Sequence, residues 1–294
     1  MKIWVGSNRS GQLHTEDEAL IRAADHGLTV GDGVFETLKA EHGTVFAVTR
    51  HLERLTRSAR GLGLPDPDLA TVRDAIAETV AANDAHELAR VRVTYTAGTS
   101  PLSSERGGGQ PTLIVALAPA SPTPDSTRAI TVPWVRNERS ALAGLKTTSY
   151  AENVVALARA KAAGASEALF ADTQGRLSEG TGTNVFVVLD GQIKTPALSA
   201  GCLAGVTRAL VLAWVDAATR AGAAGFPSPP VETDLPFLPT LHSADEIFLT
   251  SSIRDVQPVI ELDGRKIGEG AVGPVTAAVR DLFRARAAAD ADPR

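Results

Sequence analysis

A single cysteine, Cys202, stands among 294 residues, so no internal disulfide can form, and the chain fits a reducing compartment. Positive charge is not in excess: 29 Lys and Arg face 34 Asp and Glu, for a net charge of −5. A nucleic-acid partner wants a basic surface, so that class is excluded. Long apolar runs are missing as well. TLIVALAPA is far too short to span a bilayer, and MKIWVGSNRSGQ lacks the apolar run of a secretory leader. The expectation is a soluble, cytoplasmic protein with no nucleic-acid or membrane partner. There is no G-x-S-x-G, no H-E-x-x-H and no P-loop. The histidines, His14, His26, His42, His51, His86 and His242, lack metal-ligand spacing, so no metal site is expected. GLTVGDG is no dinucleotide fingerprint, because its glycines open a strand rather than a helix.

What is present is material for a folded interior. Hydrophobic residues make up 44% of the chain, and the length suits two domains. KIWV reads as an edge strand. VGDGVFETLKA reads as a turn and strand, with GTVFAV returning as its hairpin partner. RHLERLTRSARGLGL has helical spacing, and DPDLATVRDAIAETVAAN predicts a second helix with Asp66 as cap and Pro67 in the first turn. LARVRVTYTA and PTLIVALAP are strands around a Gly-rich loop. APASPTPDS has the composition of a linker. Beyond it come a strand at RAITVPW and a helix at about 150–163. The strands EALFAD and NVFVVLDGQIKT follow, then a helix from GVTRAL, two strands in ADEIFLTSSIRDVQPVIELDG, and a last helix from GPVTAA. The tail RARAAADADPR is expected to fray. The fold class is a mixed α/β (α+β) arrangement. A small N-terminal domain covers 1–118, a linker 119–126, and a larger C-terminal domain 127–294. Clefts between domains commonly hold small molecules, so the active site is expected there.

Four features can carry chemistry. Lys146 lies where the loop RNERSALAG meets the helix after Tyr150. A lysine amine becomes a nucleophile or base in a desolvated or cationic setting; a solvated surface lysine fits the same letters. Glu179 reads as a turn residue before GTGT, and small neighbours permit close approach of a ligand; an exposed turn glutamate is the plain alternative. Gly205, Val206 and Thr207 open an apolar helix whose free N–H groups can seat a phosphate; any helix start reads alike. Arg54, with Arg50 and Arg57, can reach a phosphate or form a basic surface stripe.

Taken in order, DHGLTVGDGVFETLK, HLERL, GLKTTSYAENVVALA, GASEALFADTQGRLSEGTGTNVFVV, LAGVTRAL and ADEIFLTSSIRDVQPV resemble the fold-type IV (class IV) pyridoxal-phosphate enzymes over almost the whole chain. That group contains branched-chain and D-amino acid aminotransferases, (R)-amine transaminases and 4-amino-4-deoxychorismate lyases. The resemblance implies pyridoxal 5'-phosphate as cofactor. Lys146 matches the lysine that binds it as a Schiff base, and Glu179 the glutamate beside the ring nitrogen. Arg54, Val206 and Thr207 match the phosphate contacts. Ser252, with Ser251 beside it, falls where relatives contact the phosphate, and Tyr150 matches a tyrosine near the phenolic oxygen. A ping-pong exchange between an amino acid or amine and a 2-oxo acid is implied, in a homodimer.

Substrate choice is less determined. Phe35, Thr37 and Lys39 share one strand face by period-two alternation, and in the family that face looks at the cofactor. Ala97 stands where typical D-amino acid enzymes carry the carboxylate-binding arginine; Arg92, Arg106 or Arg136 can replace it, and surface solvation is the plain alternative for each. SALAGLK resembles the approach to the lysine in the lyases, which release 4-aminobenzoate and pyruvate. Aminotransferase is the first reading, the lyase the second, and a non-catalytic ligand-binding relative the third.

Overall fold

The computed structural model describes residues 1–294, and the chain divides into two compact units. The first comprises Met1–Pro122, Leu145–Tyr150 and Asp290–Arg294; the second comprises Thr123–Gly144 and Ala151–Ala289. The crossing after Pro122 falls in the linker expected at 119–126. The Lys146 segment and the tail lie with the first unit, not with the residues that flank them in sequence.

Unit 1 is built from β1 (Lys2–Gly6), β2 (Gly11–Thr15), α1 (His26–Thr29), β3 (Gly33–Glu41), β4 (Thr44–Val45), α2 (Val48–Leu62), α3 (Leu69–Ala81), β5 (Ala89–Thr96) and β6 (Thr112–Pro119). The sheet runs β2-β1-β6-β5-β3-β4 and is antiparallel throughout. β1 is therefore not an edge: β2 covers it, and GQLHT has too little apolar alternation to declare itself. Alternation sends Val34, Leu38, Val91, Val93 and Tyr95 inward, where they pack with Leu52 and Leu55 of α2 and Val72 and Ile76 of α3. The cap of α3 is Asp68 rather than Asp66. The Asp68 carboxylate accepts the Thr71 N–H at 2.9 Å, while Asp66 pairs with Arg60 at 2.7 Å.

Helix α2 lacks a cap of its own. Ala47 precedes it at φ 54°, in the left-handed region, with no side-chain hydrogen bond. The chain's far end supplies what is missing. The Ala47 N–H donates to the Ala291 carbonyl at 2.7 Å. Asp292 accepts the Thr49 N–H at 2.8 Å and the Thr49 hydroxyl at 2.6 Å, and Arg50 Nε donates to the Pro293 carbonyl at 2.9 Å. The expectation of a frayed tail is thus overturned. A carboxylate at a helix N-terminus satisfies orphan N–H groups and opposes the helix dipole, and nothing local in RARAAADADPR reveals that the partner lies at Thr49.

Unit 2 contains β7 (Thr127–Arg136), α4 (Ala151–Ala162), β8 (Glu167–Asp172), β9 (Leu177–Gly180), β10 (Asn184–Leu189), β11 (Gln192–Pro196), α5 (Val206–Arg220), β12 (Val231–Thr233), α6 (Phe237–Ser243), β13 (Glu246–Ser251), β14 (Asp255–Leu262), β15 (Arg265–Lys266) and α7 (Pro274–Ala289). Its sheet runs β12-β11-β10-β13-β14-β7-β8-β9, with β15 on β14. Parallel pairs occur at β11–β12, β14–β7 and β7–β8. The β10–β11 hairpin turns at Asp190 and Gly191, with φ 50° and 74°, the positive pair that an Asp-Gly turn favours. Leu169, Val185, Val187, Ile247, Leu249 and Val259 fill the core on one side, and Phe186 stacks on Phe248 at 4.8 Å. No helix is long and apolar enough to cross a membrane.

Asp292→Ala removes the borrowed cap. It is expected to lower unfolding free energy by about 1 kcal/mol, the usual cost of a lost N-cap, measured by urea titration. An unchanged midpoint with unchanged slope would show that the tail contact contributes nothing.

Candidate active site

Lys146 does not sit on the first turn of a helix. Its segment is extended and spliced against the start of β3. The Phe35 N–H donates to the Lys146 carbonyl at 2.9 Å, and the Thr148 N–H donates to the Gly33 carbonyl at 2.8 Å. Val34 and Thr147 form the bridge between these bonds. The Thr148 hydroxyl donates to the Gly31 carbonyl at 2.9 Å, and the Lys146 N–H reaches Ser58 Oγ on α2 at 3.2 Å. The backbone is thus held on both sides. The Lys146 Nζ lies 4.2 Å from the Phe35 ring centroid and 5.5 Å from that of Tyr150. Phe35 and Tyr150 meet edge to face at 5.1 Å, and the Arg92 guanidinium stacks on Phe35 at 3.4 Å. The structure therefore brings together Lys146, Phe35, Tyr150 and Arg92. Thr37 joins them, since it is directly opposite Arg92 in the β3–β5 register. Burial pushes the Arg92 guanidinium down to about 10, which still leaves it a cation at neutral pH.

Lys39 lies farther along the same face, buried, with Nζ 3.2 Å from Glu41 and over the Phe46 ring. Arg106 is elsewhere. Its guanidinium grips Asp32 at 2.7 and 2.6 Å and donates to the carbonyls of Leu62 and Gly63, both at 2.7 Å. That clasp ties the Gly-rich loop to the end of α2.

Arg54 faces the opposite side of β3. It meets Glu36, a fully buried carboxylate, through Nε at 2.8 Å and Nη2 at 2.7 Å. His51 Nδ1 contacts the same carboxylate at 2.7 Å, and an ionised carboxylate only accepts, so Nδ1 carries the proton. Burial works to raise the Glu36 pKa, but the Arg54 charge and the hydrogen bonds of Arg54 and His51 outweigh it and hold it at about 2. Burial, with the charges of Arg54 and Lys146, pulls His51 below its usual value despite the pull of Glu36. Neither Glu36 nor His51 was expected in the site. The signal was present, because alternation places Glu36 inward between Val34 and Leu38, where a charge demands a partner.

In unit 2, Glu179 sits in the short strand β9, not on a turn. Its Oε2 accepts the Leu203 N–H at 2.9 Å, and its Oε1 is 3.5 Å from Arg136 Nε. Arg136 also donates to Glu152 at 2.8 Å and stacks on Phe170 at 4.2 Å. Arg136, a sequence candidate for the substrate carboxylate, thus faces a carboxylate of its own unit. Asn184 Nδ2 donates to the Leu203 carbonyl at 2.8 Å, so both polar groups of Leu203 are clamped. Two residues later Gly205 precedes α5 with no side-chain cap, and a Cβ there would lie 2.0 Å from Asn184 Oδ1. A side chain at that position would push Asn184 off its bond to Leu203. Val206 and Thr207 begin α5 and are buried; with no side chain capping the first turn, its N–H groups suit an anion. Ser251 ends β13 and takes the Arg254 N–H on its hydroxyl at 3.3 Å, with Ser252 next in the turn. Buried Glu167 accepts from the Thr181 N–H and hydroxyl and from the Thr183 hydroxyl, which fixes the GTGT turn after Glu179.

Unit 1 thus presents an amine among aromatic rings and cations. Unit 2 presents a fixed carboxylate and an uncapped helix start. The model of the amino-transferase class IV family matches residues 33–262. A putative branched-chain-amino-acid aminotransferase of Methanocaldococcus jannaschii is 34% identical over 97% of this chain and 96% of its own length. Among solved structures, the branched-chain aminotransferase of Thermoproteus uzoniensis with norvaline superposes with a TM-score of 0.86 at 31% identity, covering 97% of this chain and 93% of that one. A hypothetical aminotransferase from Mycobacterium tuberculosis in a PLP-bound form gives 0.79 at 28% identity, with 96% and 98% covered.

The depressed Glu36 pKa carries a sign. Unfolded near 4.5 and folded at about 2, Glu36 contributes stability that is fully present above 4.5 and is lost as pH falls toward 2. The wild type should therefore lose its stability advantage over Glu36→Gln across that window, measured by denaturant titration at successive pH values. An advantage that stays constant through the window contradicts the ionised pair.

Proposed function

The chain belongs to the class IV aminotransferase family, and on that premise we propose that it uses pyridoxal phosphate to move the amino group of an apolar amino acid onto a 2-oxo acid. The observation that carries this reading is the Lys146 amine, fixed over Phe35 beside Arg92. The residues fit the cofactor by their chemistry. Lys146 is an amine for its aldehyde, Glu179 a carboxylate for its ring nitrogen, and Arg54 a cation for its phosphate. The α5 start at Val206 and Thr207, made tight by Gly205, is an anion seat. Ser251 and Ser252 would add hydroxyl groups to the phosphate set, and Tyr150 would offer its hydroxyl to the phenolic oxygen.

When bound, the cofactor supplies the electron sink that makes the substrate Cα–H acidic. The protein's part is placement and proton movement. Lys146 would hold the group through its amine. The same amine, when free, would serve as the base for the substrate Cα proton. Glu179 favours the protonated ring nitrogen, because opposite charge stabilises the charged form. Arg136, on its other side, keeps that carboxylate placed. Arg92 holds the substrate carboxylate, with Thr37 and Lys39 on the same face. Phe35 and Tyr150 form an aromatic wall that suits an apolar side chain, in keeping with norvaline in the T. uzoniensis enzyme. A second 2-oxo acid would accept the amino group, and the working form is a homodimer.

Purified enzyme supplied with amino acids of both hands and 2-oxoglutarate, and separately with aminodeoxychorismate, tests the reaction class. Keto-acid formation without 4-aminobenzoate is expected; 4-aminobenzoate without transamination would make the enzyme a lyase. After incubation with pyridoxal phosphate and desalting, Lys146→Ala should be colourless, and it should lose turnover by roughly 10³-fold or more, the upper range for a general base. A yellow, active variant would remove Lys146 from the mechanism.

A further inference from the structure

We propose that Glu36 is a positioning residue that aims Arg54, and that it thereby makes the protein prefer a phosphorylated ligand over the dephosphorylated analogue. The inference rests on the pyridoxal phosphate reading above.

Glu36 occupies a core position. It points from β3 to the same side as Val34 and Leu38 and has no exposed surface. Burying an ionised carboxylate there is costly unless every oxygen is engaged by charge and hydrogen bonds. Both oxygens are engaged. Oε1 accepts Arg54 Nε, while Oε2 accepts Arg54 Nη2 and His51 Nδ1. A guanidinium is planar, so holding its Nε–Nη2 edge fixes the plane and the direction of the remaining corner. Arginine otherwise carries much rotamer freedom, and losing that freedom before a ligand arrives removes part of the cost of binding. The same helix ties this to the lysine. Ser58, one turn beyond Arg54, accepts the Lys146 N–H, so one rigid element spaces the guanidinium from the amine.

The electrostatic alternative has the opposite sign. A carboxylate near Arg54 neutralises the cation and repels an incoming phosphate dianion. If charge alone mattered, removing Glu36 would tighten phosphate binding. If orientation matters more, removal loosens it, and only for ligands that carry the phosphate. A purely structural ion pair would affect both ligands alike. Glu36→Gln separates these cases, because it keeps the shape and removes the charge.

Apoenzyme of the wild type, Glu36→Gln and Glu36→Asp is titrated with pyridoxal phosphate and with pyridoxal, followed by visible absorbance and tryptophan fluorescence. The wild type should prefer pyridoxal phosphate. Glu36→Gln should bind it about tenfold more weakly or worse, one charge-assisted hydrogen bond's worth, with pyridoxal affinity held within about twofold. Glu36→Asp keeps the buried charge but draws it back by one methylene; it should show the same phosphate-selective loss, and it carries the test if the glutamine variant does not fold. Unchanged or tighter pyridoxal phosphate binding in the variants, or equal losses for both ligands, overturns the role of Glu36 alone. A wild type that binds neither ligand overturns the pyridoxal phosphate reading and this inference with it.

Discussion

The splice between Leu145–Tyr150 and the first residues of β3 is the constraint on which the candidate site residues of unit 1 depend. Two backbone hydrogen bonds and the bridge between them set the register. A shift of one residue would turn every side chain of the segment to the other face. With that register, the amine meets Phe35 and Tyr150. Alternation along β3 then divides the labour. Phe35, Thr37 and Lys39 take one face, with Arg92 across from Thr37. Val34, Glu36 and Leu38 take the other, where hydrophobic burial supplies stability and Glu36 engages Arg54 and His51. One strand thus serves both the core and the site.

Unit 2 relies on a different device. Glu179 and Asn184 grip the two polar groups of Leu203, and Gly205 leaves room for the Asn184 amide to keep that position. The carboxylate and the start of α5 are therefore placed by the same short turn. Each of these half-buried hydrogen bonds contributes about 1 kcal/mol, so the arrangement resists drift. Arg136 completes it from the other side of Glu179.

Much of this was legible in the letters. Lys146, the LSEG of β9 and the LAGVT start of α5 are short motifs whose residue types carry their own chemistry. The long periodic elements α2, β5 and α5 are equally plain, because burial repeats at a fixed period. What was hidden depends on partners remote in sequence. Asp292 caps α2 across 243 positions, which no local rule detects. β2, β12 and β15 are short and polar, and gain their structure from a neighbour's edge. The arginines show the limit most sharply. Arg92, Arg106 and Arg136 are all candidates as letters, with Arg92 the first of them, yet one stacks on Phe35, one clasps a loop through Asp32, and one supports Glu179. Charge is written in the sequence; what a charge faces is set by packing.

The most direct test of the account is chemical. Holoenzyme is reduced with borohydride, digested, and mapped by mass spectrometry. The account expects a phosphopyridoxyl group on the peptide containing Lys146 and on no other lysine. A label on a different lysine, or none on protein that has taken up pyridoxal phosphate, would contradict it.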